Sequence, residues 1–277
     1  MKCRVDKLLV ERGFAASRER AQALILAGRV LVDEQRVDKP GTPVNAEAVV
    51  RMLGDDLRYV SRGGLKLEGA IQHWGIKLTG RACVDVGAST GGFTDCMLQH
   101  GAVSVMAVDT GYGQIAHSLR MDPRVTLMER CNARLLERGQ LFAPPDREAD
   151  PSAPLRDDKQ KSAISFLAMD VSFISATLVL PPVLAALAGP GDAWRGEAVV
   201  LIKPQFEAGR EHVGKGGIVR TQAARDLAIE RVRACVGSHG GHSLEIIDSP
   251  ITGMEGNREY LLHGWFGEER PNTDDTD

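Results

Sequence analysis

Apolar positions in the first sixty residues follow two different periods. Val5, Leu8 and Leu9, and then Ala21, Leu24 and Ile25, keep the i, i+3, i+4 spacing of short amphipathic helices, separated at Gly13. Ser17 is placed to cap the second helix, Glu19 to complement its dipole and Gly28 to end it, which predicts a helix over about 18–27. Arg29-Val30-Leu31-Val32, Arg36-Val37 and 48–52 then read as short strands around polar turns. A small α+β domain with its linker is expected over 1–58.

From Arg81 the pattern alternates between apolar runs and helical stretches. ACVDVG, SVMAVD, RVTLME, ISFLAMD and AVVLIK are strand-like, with helices expected over 92–100, after Gly113, through Leu187 and over 221–236. Strands separated by helices predict a mostly parallel sheet covered on both faces. The last two runs, 244–247 and 260–266, have no helix between them and should pair as an antiparallel edge. The expected fold is α/β over 59–266, preceded by the small α+β domain.

Composition narrows the class. A chain of 277 residues, 43% hydrophobic and 26% charged, can bury a core without staples. Its five cysteines are never closer than thirteen residues, so no zinc or redox motif is present, no metal is expected and a reducing cytoplasm fits. Charges at Arg4, Asp6, Lys7, Glu11 and Arg12 argue against a signal peptide. The most apolar stretch, 174–188, is short and contains Pro181 and Pro182, which argues against a membrane span. Two segments read as unable to order themselves: 143–162, with four prolines and nine charges in twenty residues, and the acidic tail 267–277.

Charge is unevenly shared. The first 81 residues hold 15 Lys and Arg against 10 Asp and Glu, and the rest hold 19 against 27. Arg4, Lys7, Arg18, Gln22 and Arg29 fall on the polar side of the predicted helices, a face suited to phosphates or simply to water. RVDKLLVERGFAASRERAQALILAGRVLVDEQRV resembles the RNA-binding domain first described in ribosomal small-subunit protein four, with Arg4/Asp6, Ser17/Arg18 and Gly28/Arg29/Val30 matching its pattern. The resemblance implies RNA contacts through Arg4, Lys7, Arg18 and Arg29.

In the larger domain Asp85, Asp109, Asp170 and Lys203 all fall at carboxyl ends of predicted strands, where open sheets bind ligands. The turn Asp85-Val86-Gly87-Ala88-Ser89-Thr90-Gly91-Gly92 lacks the GxGxxG spacing, which disfavours a nicotinamide cofactor. An initial acid, a glycine turn and a second-strand acid resemble the S-adenosylmethionine site of class I (Rossmann-like) methyltransferases, which implies cofactor contacts through Asp85, Gly87, Ser89, Thr90, Gly91, Gly92 and Asp109. After the fourth strand, Asp170-Val171-Ser172-Phe173 keeps an acid and an aromatic but lacks the paired prolines of enzymes that methylate amino groups of bases. Base methylation is weakened and stays open.

Lys203 ends AVVLIK and precedes Pro204, which leaves its amine at the sheet's carboxyl edge. To act as a base its pKa would have to fall from ~10.4 to ~7.5, about 4 kcal/mol, through burial and a second cation. Lys66 is the candidate cation, although alone it reads as a surface lysine of a helix.

YVSRGGLKLEGA, DVGASTGGFTDCMLQHGA, MDVSFIS, IKPQFEAGR with GKGGIVR, and GNREYLL are together very similar to the TlyA family of haemolysin-like ribosomal RNA 2′-O-methyltransferases, whose catalytic domain is FtsJ-like. The resemblance implies a catalytic Lys-Asp-Lys-Glu tetrad at Lys66, Asp170, Lys203 and Glu259, the Gly-Asn-x-Glu-Tyr pattern selecting Glu259 over Glu255. It assigns proton removal to Lys203, its tuning to Lys66 and Asp170, and positioning to Glu259. It further implies S-adenosylmethionine as cofactor, ribosomal RNA or ribosomal subunits as partner, and cytidine as the modified nucleoside. Two other readings stay open: an RNA-binding protein with an inactive methyltransferase-like domain, and a base N-methyltransferase. The 143–162 insertion is longer than the family's usual connection.

Overall fold

The computed structural model describes residues 2–15, 17–26, 28–52, 58–141, 163–189, 191–253 and 256–267. The 143–162 insertion, the tail beyond Gly267 and Glu255 lie outside the described residues. The chain divides into two units, Met1–Arg58 and Tyr59–Asp277.

The smaller unit runs β1 (Lys2–Arg4), α1 (Val5–Glu11), α2 (Arg18–Leu26), β2 (Val30–Val32), β3 (Gln35–Arg36), β4 (Pro43–Asn45) and β5 (Val50–Met52). The two helices bury Val5, Leu8, Leu9, Ala21, Leu24 and Ile25 in a common core. Ser17 Oγ accepts the Arg20 N–H at 3.2 Å, and Gly28 ends the chain's helical path at φ 64°. β2 pairs antiparallel with β3 and β5, as the strand pattern predicts. The β1–β4 pair has no sequence signal, because three residues per strand are too few to show alternation.

The larger unit adds α3 (Gly63–Trp74), β6 (Ala82–Val86), α4 (Gly92–Gln99), β7 (Ser104–Val108), α5 (His117–Arg120), β8 (Val125–Met128), β9 (Ile164–Met169), α6 (Ala176–Leu187), β10 (Gly196–Ile202), α7 (Pro204–Glu207), α8 (Gln222–Ser238), β11 (Gly241–Asp248) and β12 (Tyr260–Phe266). Its seven strands lie in the order β11-β12-β10-β9-β6-β7-β8, with β12 antiparallel to both neighbours. Alternation along the strands divides the core. Val84, Val86, Leu167, Met169, Val200 and Ile202 meet α6 and α8 on one face, whereas Cys83, Phe166, Ala168, Val199 and Leu201 meet α3 and α4 on the other. The expected antiparallel pair forms, but β12 sits inside the sheet and β11 is the edge, consistent with buried residues along nearly all of β12.

α6 continues through Pro181 and Pro182 instead of breaking there. A proline at 181 removes the intrahelical donor for Thr177 O, and Cys235 Sγ takes that role at 3.7 Å. Among the described residues no helix is long and apolar enough to cross a membrane.

This topology brings the site together. Parallel pairing of Val86 with Met169 sets Gly87 beside Asp170, and antiparallel pairing of Ile202 with Tyr260 sets Lys203 beside Glu259. A residue that precedes an antiparallel strand therefore reaches the same edge as residues that follow parallel ones.

Candidate active site

Strand order reverses between β6 and β9, and the turn after β6 lies at that switch point. Gly87 has φ 88°, and a Cβ there would lie 2.4 Å from the Asp170 carbonyl oxygen, so only glycine allows the two loops to approach this closely. Asp85 is fully buried, and its Oδ2 accepts from Thr94 N at 2.9 Å and Thr94 Oγ1 at 2.6 Å. Its Oδ1 is buried without a partner. Burial pushes its pKa up to about 7, against the Thr94 bonds, and the nearby Asp170 and Asp109 charges add to the rise.

Asp109, after β7, accepts from Ser89 N at 2.8 Å and Gly111 N at 2.6 Å, one bond to each oxygen. Each oxygen keeps a lone pair for a ligand. A cleft beside it is lined by Ala88, Ser89 and Asp109, together with Gln114, Ile115, Leu127 and Glu129. Of the seven predicted cofactor residues only Ser89 and Asp109 line this cleft. Gly91 packs against Leu119 and Ile115, and Gly92 lies against Ser61 and Gly64, so these two glycines serve close packing of the turn. Thr90 is exposed, and its carbonyl accepts from Ala116 N at 3.1 Å. Sequence reasoning missed Gln114, Ile115, Leu127 and Glu129. Glu129 was findable, because it follows β8 at the same edge as Asp85 and Asp109.

These features fit S-adenosylmethionine: a buried carboxylate oxygen needing a donor suits the ammonium of its amino-acid end, and the Asp109 lone pairs suit the ribose diol. Among the described residues no cluster of metal-ligating side chains is present.

On the other side of Gly87 the four tetrad residues converge. Lys66 Nζ donates to Glu259 Oε2 at 2.5 Å and lies 3.9 Å from Asp170 Oδ2. Lys203 Nζ is 2.5 Å from Asp170 Oδ1 and donates to Ser172 Oγ at 2.6 Å. Lys66, Lys203 and Glu259 are buried, so Lys66 is no surface lysine. Two ammoniums alternate with two carboxylates, and this balance lets four charges share a buried site. Phe173, at φ 63° and 92% exposed, follows Ser172 at the mouth, its ring centroid 5.5 Å from that of Phe206.

In the smaller unit Arg4 and Arg18 are not free surface charges. Arg4 donates Nε at 3.0 Å and Nη2 at 2.8 Å to the buried Asp6, and Arg18 Nη2 and Gln22 Nε2 reach the same carboxylate at 3.1 and 3.2 Å. The Arg4 guanidinium, helped by Arg18 and Gln22, holds the Asp6 carboxyl far below the usual carboxylate range. The side chains of Arg4 and Arg18 remain about half exposed, 50% and 48%, so each keeps donors for a phosphate. Lys7 is exposed and Arg29 half-buried.

A model of the FtsJ-like methyltransferase family matches residues 59–266, and one of the S4 domain matches residues 3–50. The chain is 39% identical over 262 residues to the 16S/23S rRNA (cytidine-2′-O)-methyltransferase TlyA of Mycobacterium tuberculosis, covering 94% of this chain and 89% of that protein. It is 37% identical over 260 residues to hemolysin A of Brachyspira hyodysenteriae, covering 94% and 98%. A solved structure from Streptococcus thermophilus, described provisionally as a hemolysin, is 38% identical with a TM-score of 0.67 and covers 99% of this chain and 91% of that one. The chain therefore belongs to the FtsJ-like methyltransferase family, among the two-domain members that carry an S4 domain ahead of the catalytic fold.

Proposed function

We propose that this protein methylates the 2′-hydroxyl of a ribose in ribosomal RNA, a cytidine's, with S-adenosylmethionine as donor. The carrying observation is the Lys66–Asp170–Lys203–Glu259 cluster, assembled at the sheet edge beside the cofactor turn. The sulfonium of the donor supplies an electrophilic methyl, its carbon–sulfur bond breaking onto sulfur as the ribose oxygen takes the carbon. What the protein must add is an aligned hydroxyl and a home for its proton.

Lys203 Nζ receives that proton. Asp170 holds Lys203 through one oxygen while Lys66 approaches the other, and Glu259 anchors Lys66 from the antiparallel strand. Asp85, Gly87, Ser89, Thr90, Gly91, Gly92 and Asp109 form and brace the cofactor side. Arg4, Lys7, Arg18 and Arg29 engage RNA phosphates, supported by the match of this unit to the S4 domain. A ribosomal substrate puts the reaction in the cytoplasm.

The test is Lys203→Arg, which keeps the charge but cannot deprotonate, because a guanidinium pKa exceeds about 12. It should bind S-adenosylmethionine and ribosomal subunits normally while single-turnover methyl transfer falls by more than about a hundredfold. Near-normal transfer would mean that another group or water takes the proton.

A further inference from the structure

The reaction uses Lys203 only if its lone pair faces the ribose, and a lysine amine turns freely about its last bond. Two neighbours restrict it: Asp170 Oδ1 at 2.5 Å and Ser172 Oγ at 2.6 Å. Only the Ser172 contact has hydrogen-bond geometry, since Asp170 Oδ1 is an ion-pair neighbour with no formed hydrogen bond. We propose that Ser172 is a positioning residue for Lys203, its hydroxyl accepting one N–H so that the third tetrahedral direction of Nζ points at the ribose hydroxyl. The inference rests on Lys203 as proton acceptor.

The loop is built to hold that hydroxyl still. Asp170 N donates to Val86 O at 2.9 Å, and Phe173 turns the chain at φ 63°, a conformation costly for a bulky residue. Beyond the turn, Ala176 N donates to Glu207 Oε1 at 2.7 Å, and Ser175 Oγ donates to Glu207 Oε2 at 2.5 Å. Glu207 lies four residues after Lys203, and Phe173 touches Phe206, so the segment around Ser172 is fastened to the segment carrying Lys203 at successive points. Neutral Nζ has two N–H groups and one lone pair. With one hydrogen directed to Ser172, two directions remain for the second hydrogen and the lone pair, and the Asp170 carboxylate at 2.5 Å repels a lone pair from the one that faces it. Without Ser172 the amine is held by that repulsion alone.

The charged neighbours of Lys203 are Asp170 after β9, Lys66 on α3 and Glu259 before β12, with Asp85 on β6 behind Asp170 and Glu207 on α7 committed to Ser175 and Ala176. Ser172→Ala removes none of them.

The experiment is single-turnover transfer of tritiated methyl from S-adenosylmethionine to ribosomal subunits from a strain lacking the enzyme, across pH 6 to 10, for wild type, Ser172→Ala, Ser172→Thr and Lys203→Arg. Ser172→Ala should lower the plateau rate about tenfold, with the half-saturating concentration of subunits unchanged. Ser172→Thr, which retains a hydroxyl, should restore much of the rate. A plateau within twofold of wild type overturns the inference, as does a Ser172→Thr enzyme no better than Ser172→Ala. Near-normal transfer by Lys203→Arg instead overturns the reading on which it rests.

Discussion

Replacing Asp85 by asparagine should remove the pH dependence that this carboxylate imposes on folding. The folded group titrates at about 7, whereas an unfolded aspartate titrates near its ordinary 3.8. Between those values the folded chain holds a proton that the unfolded chain has released, so stability falls as pH rises and levels off above the folded value. About 3 pH units at ~1.36 kcal/mol each give ~4 kcal/mol at most. Asparagine keeps an acceptor for Thr94 and adds an amide where Oδ1 has no partner, at a pH-independent cost of about 1–3 kcal/mol for an unsatisfied donor. Asp85→Asn should therefore be the less stable protein at pH 4.5 and the more stable at pH 8. All three tryptophans, Trp74, Trp194 and Trp265, belong to the larger unit, so urea unfolding followed by their fluorescence reports on it alone. A stability difference between the two proteins that stays flat from pH 4.5 to 8 would refute the reasoning. If the cofactor's ammonium meets Oδ1, binding favours the ionised form and should release about one proton near pH 6, seen as a buffer-dependent binding enthalpy.

Other outcomes follow from the same geometry. Gly87→Ala forces a Cβ toward the Asp170 carbonyl at positive φ, and should cost more than about 1 kcal/mol of stability while lowering transfer more than cofactor affinity, measured by unfolding, calorimetry and single turnover. Asp6→Asn removes the charge that orders Arg4 and Arg18, so α1 amides should exchange hydrogen at least about tenfold faster at pH 7. Because the folded Asp6 pKa is depressed, that contribution is present above about pH 4 and fades as pH falls further, so wild type and variant should converge in acid. Arg4→Glu should weaken binding to ribosomal subunits and flatten its salt dependence; an unchanged salt slope would leave Arg4 as a structural partner of Asp6 only.

Continuous apolar runs predict the parallel strands of the larger unit, because most of them bury both faces and are bounded by turns. They do not reveal that β12 lies between β10 and β11, since an apolar run records burial and not which neighbours provide it. The tetrad positions came from family resemblance. Spacing alone could not bring Lys66 and Glu259 together, because they are 193 positions apart in sequence and meet only through the antiparallel placement of β12. The Asp6 hub was hidden for another reason. Polar side chains two to sixteen positions from Asp6 look like a solvated face until helix packing turns them onto one buried carboxylate. The glycines after β6 are legible as a turn, but a glycine symbol does not say whether the missing side chain makes room for a ligand or for Ser61 and Leu119.

Methylation of ribose oxygen in ribosomal RNA can be read by incubating purified protein with tritiated S-adenosylmethionine and ribosomal subunits from a strain lacking it, followed by alkaline hydrolysis and nucleoside mass analysis. A 2′-O-methyl group blocks the neighbouring phosphodiester from hydrolysis, so the label should appear in an alkali-resistant dinucleotide that yields 2′-O-methylcytidine. Label recovered as a base-methylated nucleoside, or no label in RNA at all, would contradict the account.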